Sequence, residues 1–167
     1  MRRRSKKGQL PAQGGLTLLE LIVSCAILTI LASMAIPIAR FTATRERERQ
    51  LRYDLQYMRD AIDQYKDLAD HGQIRVDALT GGYPPDLETL VKGVPLVMAA
   101  AAGTSGGSKT IHFMRGIPVD PMTGKANWGL RSTEDDPDAT SWGGQNVFDV
   151  YSKSEGTALD GSKYADW

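Results

Sequence analysis

The 167 residues contain one cysteine, Cys25, so the chain can close no disulfide within itself and offers no cysteine-based zinc site. Histidine is nearly as scarce: His71 and His112 stand alone, and neither belongs to an HExxH or a comparable metal-binding spacing. No Gly-x-Ser-x-Gly elbow is present. Gly103-Thr104-Ser105-Gly106-Gly107 lacks the Lys-Ser/Thr ending that lets a glycine-rich loop cradle phosphate. These absences point away from an enzyme. An excess of one charge is missing too, since 20 Lys plus Arg balance 20 Asp plus Glu, and nothing basic argues for a nucleic acid partner. Disorder and collagen are excluded by 41% apolar and 24% charged content.

What is present is unevenly spread. Arg2, Arg3, Arg4, Lys6 and Lys7 fall within the first fifteen residues, and the apolar residues crowd into the segment that follows. Residues 21–38, LIVSCAILTILASMAIPI, supply about 18 positions, the length that crosses a hydrocarbon core as a helix. The only formal charge in residues 16–39 is Glu20. Beyond the run, Arg40, Arg45, Arg47 and Arg49 are mixed with Glu46 and Glu48, so the positive-inside rule predicts a single pass with a cytoplasmic N-terminus. A cleaved secretory signal is the rival reading, but the apolar run is long enough to stay as an anchor. Pro37 removes one backbone bond and predicts a kink of the kind membrane helices tolerate.

After Arg40, Leu51, Leu55, Met58, Ile62, Tyr65 and Ala69 recur at spacings of four and three, the pattern of an amphipathic helix. Arg45-Glu46-Arg47-Glu48-Arg49 and Arg52, Asp54, Arg59, Asp60, Asp63, Lys66 and Asp67 read as its solvated faces. A helix from Leu16 to about Asp70 measures roughly 80 Å at 1.5 Å per residue. His71-Gly72 ends it, and Gly81-Gly82-Tyr83-Pro84-Pro85-Asp86 makes a second break before a short helix at Leu87-Glu88-Thr89-Leu90-Val91. Residues 94–107 predict a turn or two of helix and then a flexible loop. Short β-like stretches lie over residues 127–132 and 146–152. The predicted class is α+β, a long helix whose outer half packs on a small antiparallel sheet. Four segments follow: a basic leader (1–15), a membrane helix (16–39), an amphipathic helix (40–70) and an α+β head (71–167).

Gly14-Gly15-Leu16-Thr17-Leu18-Leu19-Glu20 carries the most specific information. With its basic leader, Gly15, Glu20 and Pro37, the sequence resembles precursors of the type IV pilin and type II secretion pseudopilin superfamily. The resemblance implies that a prepilin peptidase cuts between Gly15 and Leu16 on the cytoplasmic side and methylates the new N-terminus. Leu16 departs from the phenylalanine usual at that place. An ionised carboxylate near a bilayer costs about 2.5–3.5 kcal/mol and needs a partner. The ammonium created at Leu16 of one subunit can answer Glu20 of a neighbour as helices pack side by side. The bland alternative is a Glu20 that snorkels to the headgroups.

The distal half is similar to the major pseudopilins in particular. Tyr83-Pro84, Pro118-Val119-Asp120-Pro121, Phe148-Asp149-Val150-Tyr151-Ser152, Gly156 and Ala165-Asp166-Trp167 stand where that branch has its Tyr-Pro turn, its Pro-x-Asp-Pro turn and its closing stretch. The resemblance implies calcium in the closing loop, with Ser152, Glu155, Asp160 and Asp166 as donors, although Glu155-Gly156 replaces the branch's Asp-Gly. Glu134-Asp135-Asp136-Pro137-Asp138 reads as a separate solvated loop. The implied function is a structural subunit that polymerises through its apolar helix into a short periplasmic fibre of a type II secretion system. Its implied partners are copies of itself, other pseudopilins, the prepilin peptidase and an inner-membrane platform. A surface type IV pilin or minor pilin, and a monomeric membrane-tethered periplasmic binding domain, are the alternatives.

Overall fold

The computed structural model of the chain describes Gly15, residues 17–97 and residues 109–167, with residues 34–39 by backbone alone. The described residues divide into two compact units between Thr42 and Ala43. One helix, α1 (Leu18–Asp70), contributes to both. It starts on Thr17, whose hydroxyl accepts the Glu20 amide N–H at 3.2 Å. Thr-x-x-Glu is a capping sequence, and it sets an acid in the first turn, where the helix dipole favours one. The helical assignment passes through Pro37, so the proline does not end the helix.

In the second unit α1 buries Leu51, Leu55, Met58, Ala61, Ile62 and Tyr65, the stripe that the spacing predicts. Its end is a Schellman motif. Gly72 takes φ 65°, its N–H reaches the Ala69 carbonyl at 3.0 Å, and the Gln73 N–H reaches Leu68 at 2.9 Å.

The rest of this unit wraps that stripe. Helix α2 (Leu87–Lys92) begins on Asp86, whose carboxylate accepts the Thr89 N–H at 2.6 Å and its O–H at 2.9 Å. It buries Leu87 and Leu90. Strand β1 (Val94–Pro95) pairs antiparallel with β2 (Thr110–Ile111), and β3 (Gly129–Arg131) with β4 (Asp149–Tyr151). The fold class is α+β as the sequence predicts, with two two-stranded sheets among the described residues in place of one.

The 94–107 segment opens as strand at Val94–Pro95 before Val97 turns helical, and the rest of the expected turn or two of helix lies outside the described residues. Gly93 at φ 79° turns the chain out of α2, and a Cβ there would lie 2.5 Å from the Ile111 carbonyl oxygen. That close approach of β2 extends the following residues. The flexible loop expected next falls largely on residues 98–108, outside the described residues.

Buried polar groups tie the wrapping segments together. Asp120, fully enclosed, accepts the Met122 N–H at 2.7 Å and the Ser152 O–H at 2.7 Å, which pins the Pro-x-Asp-Pro turn to the residue after β4. The Asn146 amide donates to the Thr80 carbonyl at 2.9 Å, and the Val147 N–H donates to Pro84 at 2.8 Å, which holds the Tyr-Pro turn against the run into β4. Two acids assigned above to solvated faces are also buried: Glu48 is 6% exposed and Asp54 5%. Burial pushes the Asp54 carboxyl above its ordinary range, the Gln50 amide at 2.9 Å opposes the shift, and the nearby Asp120 charge adds to it.

Two stability predictions follow. Gly129 faces Tyr151 across the β3–β4 pair, and a Cβ at 129 would lie 2.1 Å from the ring. The ring is also engaged by Arg131, 4.2 Å from its centroid, and donates its O–H to the Thr140 carbonyl at 3.2 Å. Gly129→Ala is expected to cost about 1–3 kcal/mol through overpacking, read as a Tm lowered by about 4 °C per kcal/mol in thermal circular dichroism. For Asp54, a folded-state pKa above the unfolded one means that both states are protonated below about pH 4. The cost of ionising the buried group then appears as pH rises through the folded pKa. Asp54→Asn, which keeps an acceptor for Gln50, is expected to raise Tm at pH 7 and to leave it unchanged near pH 4; an equal gain at both values would refute the assignment.

Candidate functional site

After β4 the chain returns to α1 and closes on one edge of the buried stripe. At about 100° per residue, Glu48, Arg52 and Arg59 fall within about 40° of one another on the helix, beside Leu51 and Leu55. Glu48 accepts the Leu159 N–H at 2.8 Å and the Tyr164 O–H at 3.1 Å. Arg52 stacks on the Trp167 ring, 4.0 Å from its centroid, and reaches Asp160 at 3.4 Å. Arg59 donates to Asp149 at 2.7 Å, to the Val150 carbonyl at 3.1 Å and to the Trp167 main-chain oxygen at 2.9 Å. Within the tail, Trp167 donates its indole N–H to Ser162 at 2.7 Å and meets Tyr164 edge-on at 5.1 Å.

The proposed calcium donors are distributed over this tail without converging. The Ser152 hydroxyl is enclosed between Asp120, to which it donates, and the Ser154 N–H, which it accepts at 3.1 Å. Asp160 accepts the hydroxyl and amide of Ser162 at 2.6 and 2.9 Å, and these bonds, with Arg52 adding its charge, hold its carboxyl below the ordinary range. Glu155 and Asp166 are exposed. Ser152 and Glu155 line a cleft together with Lys153 and Lys163, whereas Asp160 lines another with Arg45, Glu48, Arg49 and Arg52. A hard cation takes six to eight converging oxygens. Among the described residues no three His, Cys, Asp or Glu side chains are placed to hold a metal ion. Ser152, Glu155 and Asp160, divided between two clefts that carry their own cations, and Asp166, which lines neither, do not fit calcium.

Glu48, Arg52 and Arg59 were not singled out by sequence reasoning, which counted them as solvated. The signal was present for Glu48, because counting back three from Leu51 and seven from Leu55 continues the buried series onto it. The acidic loop is likewise more than solvated surface. Asp135 accepts the Ser132 N–H at 2.7 Å and the Gly143 N–H at 3.1 Å, and both bonds lower its pKa.

The N-terminal unit is chemically different. Leu18, Leu19, Leu21, Ile22, Val23, Ile27, Leu28, Ile30 and Leu31 are all exposed, Leu18 by 77%, and Cys25 is exposed among them. The hydroxyls of Thr29 and Ser33 turn back onto the helix, donating to the Cys25 and Ile30 carbonyls at 2.7 Å each. That is how an alcohol is satisfied where surroundings offer no partner. Gly15 is exposed, with open space where a Cβ would stand. The leader before it and Leu16 lie outside the described residues, as does the Pro37 side chain. Among the described residues no helix is long and apolar enough to cross a membrane. The last part of the apolar run, residues 34–38, belongs to the side chains outside the description.

A family model described as the prokaryotic N-terminal methylation motif matches residues 10–36. No curated protein and no solved structure matches the chain. The matched segment contains Gly15, Leu16, Glu20 and most of the apolar run, and ends just before Pro37. The chain therefore carries a type IV pilin-like prepilin signal, the mark of a membrane-anchored precursor processed by a prepilin peptidase.

Proposed function

We infer that this chain is the precursor of a structural subunit that polymerises into the short periplasmic fibre of a type II secretion system. The observation that carries the reading is the exposed apolar helix from Leu18 to Leu31 directly behind a prepilin-type signal. So large an apolar surface requires lipid or copies of itself as cover. Before assembly the helix anchors the precursor in the inner membrane with the head in the periplasm. In the fibre, neighbouring helices replace the lipid.

Glu20 gives that exchange a direction. Glu20 stands in the helix's first turn, four residues along the chain from Leu16, where cleavage would create the new N-terminus. An ion pair between Glu20 and a neighbour's Leu16 ammonium is strongest away from water, so it favours the packed state over the lone helix.

Four features support the secretion branch over a surface pilus. The Tyr83-Pro84 and Pro118-Val119-Asp120-Pro121 turns and the Phe148-to-Ser152 stretch are the segments that organise the head, through Val147 on Pro84 and Ser152 on Asp120. The chain also has no second cysteine with which to close a distal loop. The role is mechanical rather than catalytic.

Processing is the first test. Intact mass of protein from its native host is expected to show a chain beginning at Leu16 with one added methyl group; a chain that keeps the leader, or one cut after Ala35, overturns the reading. Assembly is the second. Glu20→Ala is expected to insert in the membrane at least as well as the parent while abolishing its recovery in fibres sheared from cells. Unchanged fibre yield would remove the pairing of Glu20 with the neighbour's N-terminus. Loss of secretion, with no filament outside the cell, on deleting the gene separates the export fibre from a surface pilus.

A further inference from the structure

We propose that the closing tail, residues 152–167, is held in place by Glu48, Arg52 and Arg59 of α1, whose guanidinium groups serve as the cations of the tail and make its fold independent of any divalent metal. The tail cannot stand by its own core. It contains one short turn (Tyr164–Asp166) and one isolated bridge, Thr157 to Lys163, and a segment with so little regular structure needs outside partners for its backbone. The helix edge supplies them.

Arg59 is the centre of this lock. Its half-buried guanidinium joins the Asp149 carboxylate in β4, the Val150 carbonyl and the Trp167 main-chain oxygen, so one side chain fastens the strand that leads into the tail and the tail's last residue to the same point of α1. Five N–H donors in a rigid fork suit a guanidinium to several oxygens at once. The second oxygen of Asp149 faces Arg131 at 3.7 Å, so its charge is answered from both sides. Arg52 performs the same service one cleft away, with its plane on Trp167 and an N–H toward Asp160. Glu48 completes the edge as an acceptor: its buried Oε1 takes the Leu159 N–H and the Tyr164 O–H, the second of which would otherwise be enclosed without a partner.

This arrangement leaves no vacancy for a hard cation. The carboxylates of Asp149 and Asp160 already face guanidinium groups, and a dication brought to either would be repelled by them. Replacing a metal by fixed side chains has a structural consequence. The tail then folds with the helix, as part of the same cooperative unit, and its order does not track the calcium level of the compartment.

The test is hydrogen exchange of the full-length chain in detergent micelles, read by mass spectrometry on peptides covering residues 152–167, with thermal unfolding alongside. The parent is expected to show the same tail protection and the same Tm in millimolar calcium and in chelator. Glu48→Gln, which keeps the shape and an acceptor at the buried position, and Arg52→Gln at an exposed one are each expected to speed tail exchange by about tenfold while the peptides of residues 51–65 stay protected. Arg59→Met is expected to release the tail outright, in calcium as in chelator; if it does not fold, Arg59→Lys, which keeps the charge and loses the fork, is expected to give an intermediate release. Calcium that raises the parent's Tm or slows its tail exchange overturns the proposal, and so does wild-type tail protection in both the Glu48 and the Arg52 variants.

Discussion

One stripe of α1 governs the architecture of the head. Leu51, Leu55, Met58, Ile62 and Tyr65 cannot face water along an isolated helix, and the segments after Asp70 are too short to form a core among themselves. A two-stranded antiparallel pair is marginal in water, and here there are two such pairs and one short second helix. Each becomes stable by covering part of the stripe: Leu87 and Leu90 from α2, Val94 from β1, Val147 and Val150 around β4. The helix is the template on which the other elements add.

The edges of that stripe carry its second layer of information. Apolar burial is non-directional and leaves register along the helix loosely specified. Polar groups at the margin are directional and supply what it lacks. Glu48, Arg52 and Arg59 each meet a different part of the tail, so a shift by one turn would leave a buried carboxylate or a guanidinium unpaired. On the opposite margin Asp54 has a poorer bargain, because its Gln50 bond is offset by burial and by the Asp120 charge. It is the point at which the core holds an unfavourable group.

The membrane-proximal residues follow a different physical logic on the same helix. From Leu18 to Leu31 the surface is apolar all round, with hydroxyls turned inward, and the only acid stands in the capped first turn. A helix of this kind is stable in lipid, where its backbone is satisfied internally, and equally stable against other such helices. The proposed function uses that duality, with one segment serving first as an anchor and afterwards as an assembly surface.

The sequence by itself determined whatever is read locally. Leader charge, Gly15, Glu20 and the apolar run form a linear signal that a peptidase and a bilayer recognise without a folded domain, and the 4–3 spacing from Leu51 to Tyr65 marks the buried face because helix periodicity is a local property. The end of α1 at Gly72 and the break before the short helix at Leu87 were legible for the same reason. What only the tertiary structure decided was the fate of the charges. Nothing adjacent to Arg59 distinguishes it from Arg49, which pairs with Glu46 in solvent, and the stripe's spacing reaches Glu48 without naming its partner; the partners of Glu48 and Arg59 lie 116 and 90 positions away, at Tyr164 and Asp149. The same holds for Ser152, Glu155, Asp160 and Asp166, whose oxygens suggest a metal when read in order. Once the chain closes on α1, Ser152 belongs to Asp120 and Asp160 to Ser162 and Arg52. A carboxylate takes the partner that folding brings within about 3 Å, and chain order does not encode which one that will be.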